Sequence, residues 1–139
     1  MPFKRVMWLG LALCAAGCVG GGEQTKQADA VTQRFIDALD AKAYPTAYAE
    51  VSPEFKATMS EDLFEGFLKR IDHKLGPCQA PVKGGNWRVN ATTNGYFRDQ
   101  GYTRACAKGT LDITISVVVR GGEAKILGYR ATSPLLLTD

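Results

Sequence analysis

Histidine is almost absent from this chain, and the signatures of common catalytic and phosphate sites are missing. The 139 residues contain one histidine, His73, which is too few for a histidine-rich metal site. The glycine pairs Gly84-Gly85 and Gly121-Gly122 lack the lysine or helix start that phosphate loops need. No serine lies in a nucleophile-elbow pattern. The sequence therefore predicts no catalytic residue, no metal and no cofactor.

A block of basic residues is also missing. The chain has 17 lysine and arginine residues against 14 aspartate and glutamate residues, and they are dispersed. Lys4 and Arg5 lie in the first few residues, so a domain that lost this end would be close to neutral. A near-neutral domain offers no electrostatic basis for binding nucleic acid, and we expect no such partner.

The apolar run from Val6 to Ala16 is too short to span a membrane, which takes about 20 residues. It follows a basic start and precedes small residues, which is the order found in signal peptides. The run Leu13-Cys14-Ala15-Ala16-Gly17-Cys18 resembles the lipobox of bacterial lipoproteins. In that family the final cysteine is lipidated and the preceding peptide is removed.

This resemblance implies a leader over residues 1–17 and a lipid on Cys18, with the membrane as a partner through that lipid. The glycine-rich polar stretch that follows predicts a flexible tether over residues 18–26, before a single domain over 27–139. By the family's sorting rules, Val19 directs the protein to the outer membrane, facing the periplasm. An ordinary secretory signal that leaves Cys18 free is the alternative.

Two cysteines remain after Cys14 and Cys18 are assigned to the leader and the lipid. An isolated pair in an exported protein predicts a disulfide between Cys78 and Cys106. A metal pair and a redox dithiol are the alternatives. A metal site would need more ligands than one histidine supplies, and redox cysteines usually lie closer together.

The first half of the chain predicts three helices. Apolar residues at helical spacing indicate a first helix over residues 26–42, and Pro45 suits the first turn of a second one that ends at Val51. Ser60 is a suitable N-cap for a third helix, which Gly76-Pro77 terminates. Its apolar stripe comprises Leu63, Phe67, Ile71 and Leu75, with Phe64 and Leu68 beside them.

The second half alternates with a period of two, which predicts four antiparallel strands. Gly121-Gly122 predicts the last hairpin turn, with two possible registers. A two-residue loop pairs Val117 with Ile126, whereas a three-residue loop with a bulge turns Leu127 and Tyr129 inward. We favoured the second register because it buries more apolar surface.

Three helices followed by a curved antiparallel sheet define an α+β fold. This order resembles the nuclear-transport-factor-like, or cystatin-like, α+β cone, and in particular exported bacterial domains of unknown function. The resemblance rests on residues 34–40, on residues 44–48 and on Ile126-Leu127-Gly128-Tyr129, and it spans residues 28–132. A cone of this kind implies an internal cavity and a homodimer through the sheet.

Two sets of residues are candidates for a site. Some cone enzymes use an aspartate or a histidine in the cavity. Asp72, however, lies at the edge of the apolar stripe of the third predicted helix, and His73 lies further from that stripe. These positions indicate a solvated face rather than a catalytic site. The second set consists of amphipathic side chains that we expect to line a pocket or its rim, namely Tyr48, Trp87, Arg104 and Tyr129. The alternative is that these side chains simply pack the helices on the sheet.

The sequence thus favours a non-enzymatic binding or interaction module that is anchored in the cell envelope. Its partner would be a small ligand or an envelope protein. The alternatives are a small-molecule isomerase or hydrolase of the cone type, and an accessory lipoprotein of an envelope assembly.

Replacing Cys18 tests the anchor directly. We expect Cys18→Ser to abolish incorporation of a fatty-acid probe, because the thiol that accepts the lipid is gone. Cys14→Ser is the matched control and should label like the wild type. Label retained by the Cys18→Ser protein would exclude Cys18 as the lipidation site.

Overall fold

The structure, a computed structural model, describes residues 21–138 and has an α+β fold. Over this range four helices precede a four-stranded antiparallel sheet that is not closed. The leader, Cys18 and the first tether residues lie outside the described residues. The elements are α1 (Gly21–Asp40), α2 (Tyr44–Ala49), α3 (Pro53–Thr58), α4 (Glu61–Leu75), β1 (Val82–Thr92), β2 (Gly95–Cys106), β3 (Gly109–Arg120), β4 (Glu123–Thr132) and a 3-10 helix (Pro134–Leu137).

Helix α1 begins at Gly21, five residues before the predicted start at Lys26. Its early turns pack on the sheet, with Ala28 fully buried and the Thr25 hydroxyl 3.2 Å from that of Tyr96. These tertiary contacts outweigh the low helix propensity of the glycines, since most helical stability in proteins comes from packing.

Helix α3 was missed in the sequence, which indicated three helices instead of four. The sequence predicts only that the second helix ends at Val51, before Ser52-Pro53. In the structure Ser52 is the N-cap of α3, and its hydroxyl accepts a hydrogen bond from the Phe55 amide at 3.2 Å. Pro53 occupies the first turn, where its missing N–H costs nothing. A serine followed by proline therefore ends one helix and begins the next.

Helix α4 confirms the third predicted helix and its caps. The Ser60 hydroxyl accepts from the Leu63 amide at 3.3 Å, and Gly76 ends the helix with a φ of 71°. The buried face is rotated slightly from the predicted stripe. Leu63 is 66% exposed and Phe67 only half-buried. The buried residues are Phe64, Leu68, Ile71 and Leu75.

The strands form a meander in the order β1-β2-β3-β4. One face of the sheet carries the helices, and its central residues form the core with them. On β3 the inward positions are those that the alternation predicted. They are Leu111, Ile113, Ile115, Val117 and Val119. Strand β2 runs over twelve residues, from Gly95 to Cys106.

The last hairpin combines features of both predicted registers. The turn has two residues, Gly121-Gly122, and Val117 pairs with Ile126, so the favoured three-residue loop is wrong. A register shift then falls between Ser116 and Val117, which leaves Leu127 as the extra residue of a bulge. The bulge turns Tyr129 to the helix side as well, where it pairs with Ile115. Ile126 and Tyr129 therefore both face the core, whereas Leu127 lies among side chains of the opposite face, beside Phe97 and Asp99.

Within residues 21–138 there is no helix long and apolar enough to cross a membrane.

Truncating Phe64 tests the phase of α4. Because Phe64 is fully buried against Phe35 and Phe55, Phe64→Ala should lower the free energy of unfolding by about 3–5 kcal/mol. His73→Ala, on the exposed face of the same helix, should change it by less than about 0.5 kcal/mol. Urea denaturation measures both values. Similar losses of unfolding free energy for the two variants would mean that α4 buries a different face from the one that contains Phe64.

Candidate functional site

A cavity of about 470 Å³ opens at one end of the interface between the helices and the sheet. The C-terminal end of α1, one side of α4 and the inward side chains of β2–β4 form its walls. Apolar side chains line it together with a few charged groups, which is typical of ligand sites. Its lining residues are Leu39, Asp40, Lys42, Tyr44, Leu68, Ile71, Asp72, Gly76, Pro77, Cys78, Ala80, Arg104, Leu111 and Tyr129.

Arg104 is the most enclosed charge of the cavity. Its side chain is 11% exposed, and Nη1 lies 2.8 Å from the Asp40 carboxylate at the end of α1. Its Nε donates to the carbonyl oxygen of Gln79 at 2.8 Å. The guanidinium is therefore fixed between α1 and the segment that follows α4. A buried charge of this kind is stable only when it is paired and hydrogen-bonded in this way.

A second ion pair lies at the cavity rim. The Lys42 ammonium lies 2.8 Å from the Asp72 carboxylate, and this contact raises the pKa of Lys42. Lys42 has a φ of 56°, a left-handed conformation that costs roughly 1–2 kcal/mol for a residue with a side chain. The amide of Ala43 donates to the Ala38 carbonyl at 2.9 Å, which caps α1 and holds the turn.

Tyr129 forms part of the inner wall. Burial raises the pKa of its phenol to about 12, so the group is neutral at physiological pH. Its ring makes edge contacts with Phe35 at 5.7 Å and Phe67 at 6.4 Å between ring centroids. A neutral, rigidly packed phenol can exchange hydrogen bonds with a ligand but is a poor general base at neutral pH.

The Cys78–Cys106 disulfide is present and joins the segment after α4 to the end of β2. Backbone hydrogen bonds reinforce this junction: the Gln79 amide donates to Ala105 at 2.8 Å and the Ala107 amide to Pro77 at 2.9 Å. Cys78 itself lines the cavity. The bridge therefore holds one wall of the cavity in place.

The structure brings together only two of the four predicted pocket residues. Arg104 and Tyr129 line the cavity. Tyr48 lies away from it, donating to the Met59 carbonyl at 2.9 Å and packing on Phe55. Trp87 is 68% exposed on β1. Neither residue lines this cavity. Trp87 lies on β1, which the helices do not cover, whereas Tyr48 packs within the helical layer.

The acidic residues of the cavity were missed or misplaced by the sequence analysis. The sequence predicts no role for Asp40. The one available signal is a carboxylate near the end of a predicted helix, and its contact with Arg104 is visible only in the structure. Asp72 was assigned to a solvated helix face, yet it lines the cavity and is only partly exposed. His73, its neighbour, is exposed as predicted.

Across residues 21–138, no three histidine, cysteine, aspartate or glutamate side chains come together as a group that could hold a metal ion. Comparison with models of known protein families gave no match, and neither did comparison with curated proteins. The cavity geometry is thus the main basis for a functional proposal.

Removing the disulfide tests its role at the cavity. Replacing both Cys78 and Cys106 with alanine should lower the free energy of unfolding by about 3–4 kcal/mol, since the bridge spans 28 residues. Reducing the wild-type protein should cause a similar loss and leave the double variant unchanged. Denaturation with and without reductant measures this. Free thiols at both positions in the unreduced protein would exclude the bridge.

Proposed function

We propose that this chain is a lipid-anchored protein of the bacterial outer membrane, facing the periplasm, whose domain binds a small amphipathic ligand in the cavity. The proposal places the domain in the nuclear-transport-factor-like superfamily and treats it as non-enzymatic. The observation that carries it is the cavity itself, with apolar walls and charges that are already paired.

The size and charge of the cavity suggest the class of ligand. A volume of about 470 Å³ is within the range of small-molecule sites. The two cations, Lys42 and Arg104, are balanced by Asp72 and Asp40. A strongly charged ligand would have to break one of these pairs, so a neutral or zwitterionic molecule with an apolar part suits the site best.

The anchor and the cavity lie at opposite ends of α1. This helix has 20 residues and is about 30 Å long. Cys18 precedes its first residue by three positions, and Asp40 at its last residue contacts Arg104 in the cavity. A lipid on Cys18 would therefore leave the cavity mouth unobstructed by the acyl chains.

An enzymatic role has one observation in its favour, since Asp40, Asp72 and Tyr129 line the same cavity. Both carboxylates, however, are ion-paired, and the phenol of Tyr129 is kept neutral by burial. These groups suit ligand binding better than proton transfer near neutral pH. An accessory role in an envelope assembly would instead place the recognition surface outside the cavity.

Analysis of co-purifying small molecules tests the proposal. The lipidated protein should be purified from envelope membranes, and its bound small molecules identified by mass spectrometry. Arg104→Met should retain about tenfold less of any specific ligand, because it removes the fixed guanidinium donor. Ala80→Trp should also reduce binding, since Ala80 is an exposed residue of the cavity lining and the indole would occupy the mouth.

Arg130→Met is the matched control, because Arg130 is exposed on the opposite face of the sheet. It should bind like the wild type. Equal retention by all variants would remove the cavity as the binding site. Recovery of a stoichiometric envelope protein with no small molecule would favour the accessory role, and turnover of the bound compound would favour the enzyme.

A further inference from the structure

The inward face of β1 is not covered by the helices. Trp87, Val89 and Ala91 pair with Gln100, Arg98 and Tyr96 of β2, so they point to the same side as the core. They are nevertheless exposed, with 68% of Trp87 and 41% of Val89 accessible. The period-two pattern of a buried strand is thus present on an edge that nothing in the described chain buries.

A lysine accompanies these apolar residues. Lys83 pairs with Tyr102 and therefore lies on the same face. A bulge follows it, and the Gln100 side chain holds the bulge by donating to the carbonyl oxygens of Gly84 at 3.2 Å and Asn86 at 3.4 Å. The backbone that leads into Trp87 is therefore held by specific hydrogen bonds. We call Lys83, Trp87, Val89 and Ala91 the edge strip.

The edge strip lies beside the start of α1. The Thr25 hydroxyl in the second turn of α1 is 3.2 Å from the Tyr96 hydroxyl, and Tyr96 pairs with Ala91 of the strip. Cys18 is three residues before the start of the helix, a length of chain that spans at most about 10 Å. A lipid on Cys18 would hold this side of the domain close to the bilayer.

We propose that the edge strip docks on the surface of the lipid bilayer, with Trp87 at the boundary between headgroups and acyl chains. This inference rests on the lipid anchor of the proposed function. Tryptophan and lysine are both favoured at membrane interfaces, where the indole is partly buried and the ammonium faces the headgroups. Unpaired backbone groups on the outer edge of β1 remain hydrated there.

Charge favours the bilayer over a second copy of this chain. Strand β1 carries Lys83 on the edge strip and no acidic residue, while Arg88 pairs with Asp99 and lies on the opposite face of the sheet. Pairing two such edges would join two basic strands, whereas an anionic leaflet attracts Lys83. Docking along β1 lays the strands parallel to the membrane.

Tryptophan fluorescence provides the test. The chain has two tryptophans, Trp8 and Trp87, and removal of the leader leaves Trp87 alone. The lipidated protein should be reconstituted in vesicles of phosphatidylethanolamine and phosphatidylglycerol, with and without brominated acyl chains. We expect the Trp87 emission to shift to shorter wavelength on reconstitution, and the brominated chains to lower it several-fold.

A variant with the tryptophan moved to an exposed position of α4 is the matched control. Trp87→Phe combined with Leu63→Trp keeps one tryptophan, at a site 66% exposed in the wild type. Its emission should be insensitive to the brominated chains, because α4 lies away from β1.

The outcomes separate the two proposals. A protein without lipid on Cys18, as determined by mass, would overturn the anchor and the docking together. A lipidated protein whose Trp87 is unaffected by bromine would overturn the docking alone. The docking alone would also be overturned if Trp87 were protected from a soluble quencher but not quenched by the brominated lipid. A second copy of the chain would then cover the edge strip.

Discussion

The ring of Phe35, in the C-terminal half of α1, is the contact on which the rest of the domain depends. It is fully buried, and its centroid lies 6.1 Å from that of Phe64 on α4 and 5.7 Å from that of Tyr129 on β4. One side chain thereby joins the first helix, the last helix and the last strand. Because interiors are close-packed, the position of each partner constrains the other two.

Two ion pairs then orient α1 along the sheet. Arg98 and Arg104 both point inward from β2, and each contacts an aspartate of α1, Asp29 and Asp40 respectively. The hydrophobic contacts alone would tolerate some sliding of the helix, whereas these pairs match its middle, at Asp29, and its C-terminal end, at Asp40, to two places on one strand. The cavity lies where this packing ends, so its charged wall is a consequence of how α1 is held.

The same geometry separates the two surfaces that bear on function. The helices lie over β2, β3 and β4, which encloses the cavity at one end and leaves β1 uncovered. An apolar residue on β1 is therefore exposed for the same reason that Arg104 is enclosed. The cavity and the edge strip therefore have the same structural cause.

Local sequence signals were sufficient for the fold class, the α4 caps, the inward residues of β3 and the disulfide pair. These features depend on short-range periodicity, on single capping residues or on the chemistry of an isolated cysteine pair. The local signals were insufficient where the same residues are compatible with two local structures. Ser52-Pro53 ends one helix and starts another, and the alternation of β4 is compatible with two registers until a bulge at Leu127 combines them.

The sequence by itself determined which faces of the helices and strands are apolar, since periodicity is a property of the chain. Only the tertiary structure decided which of those faces is covered. Trp87 and Tyr129 both looked like pocket residues in the sequence, yet one is 68% exposed and the other forms the cavity wall. The difference is that α1 crosses β4 and not β1, and the contacts that place it are between residues far apart in the chain.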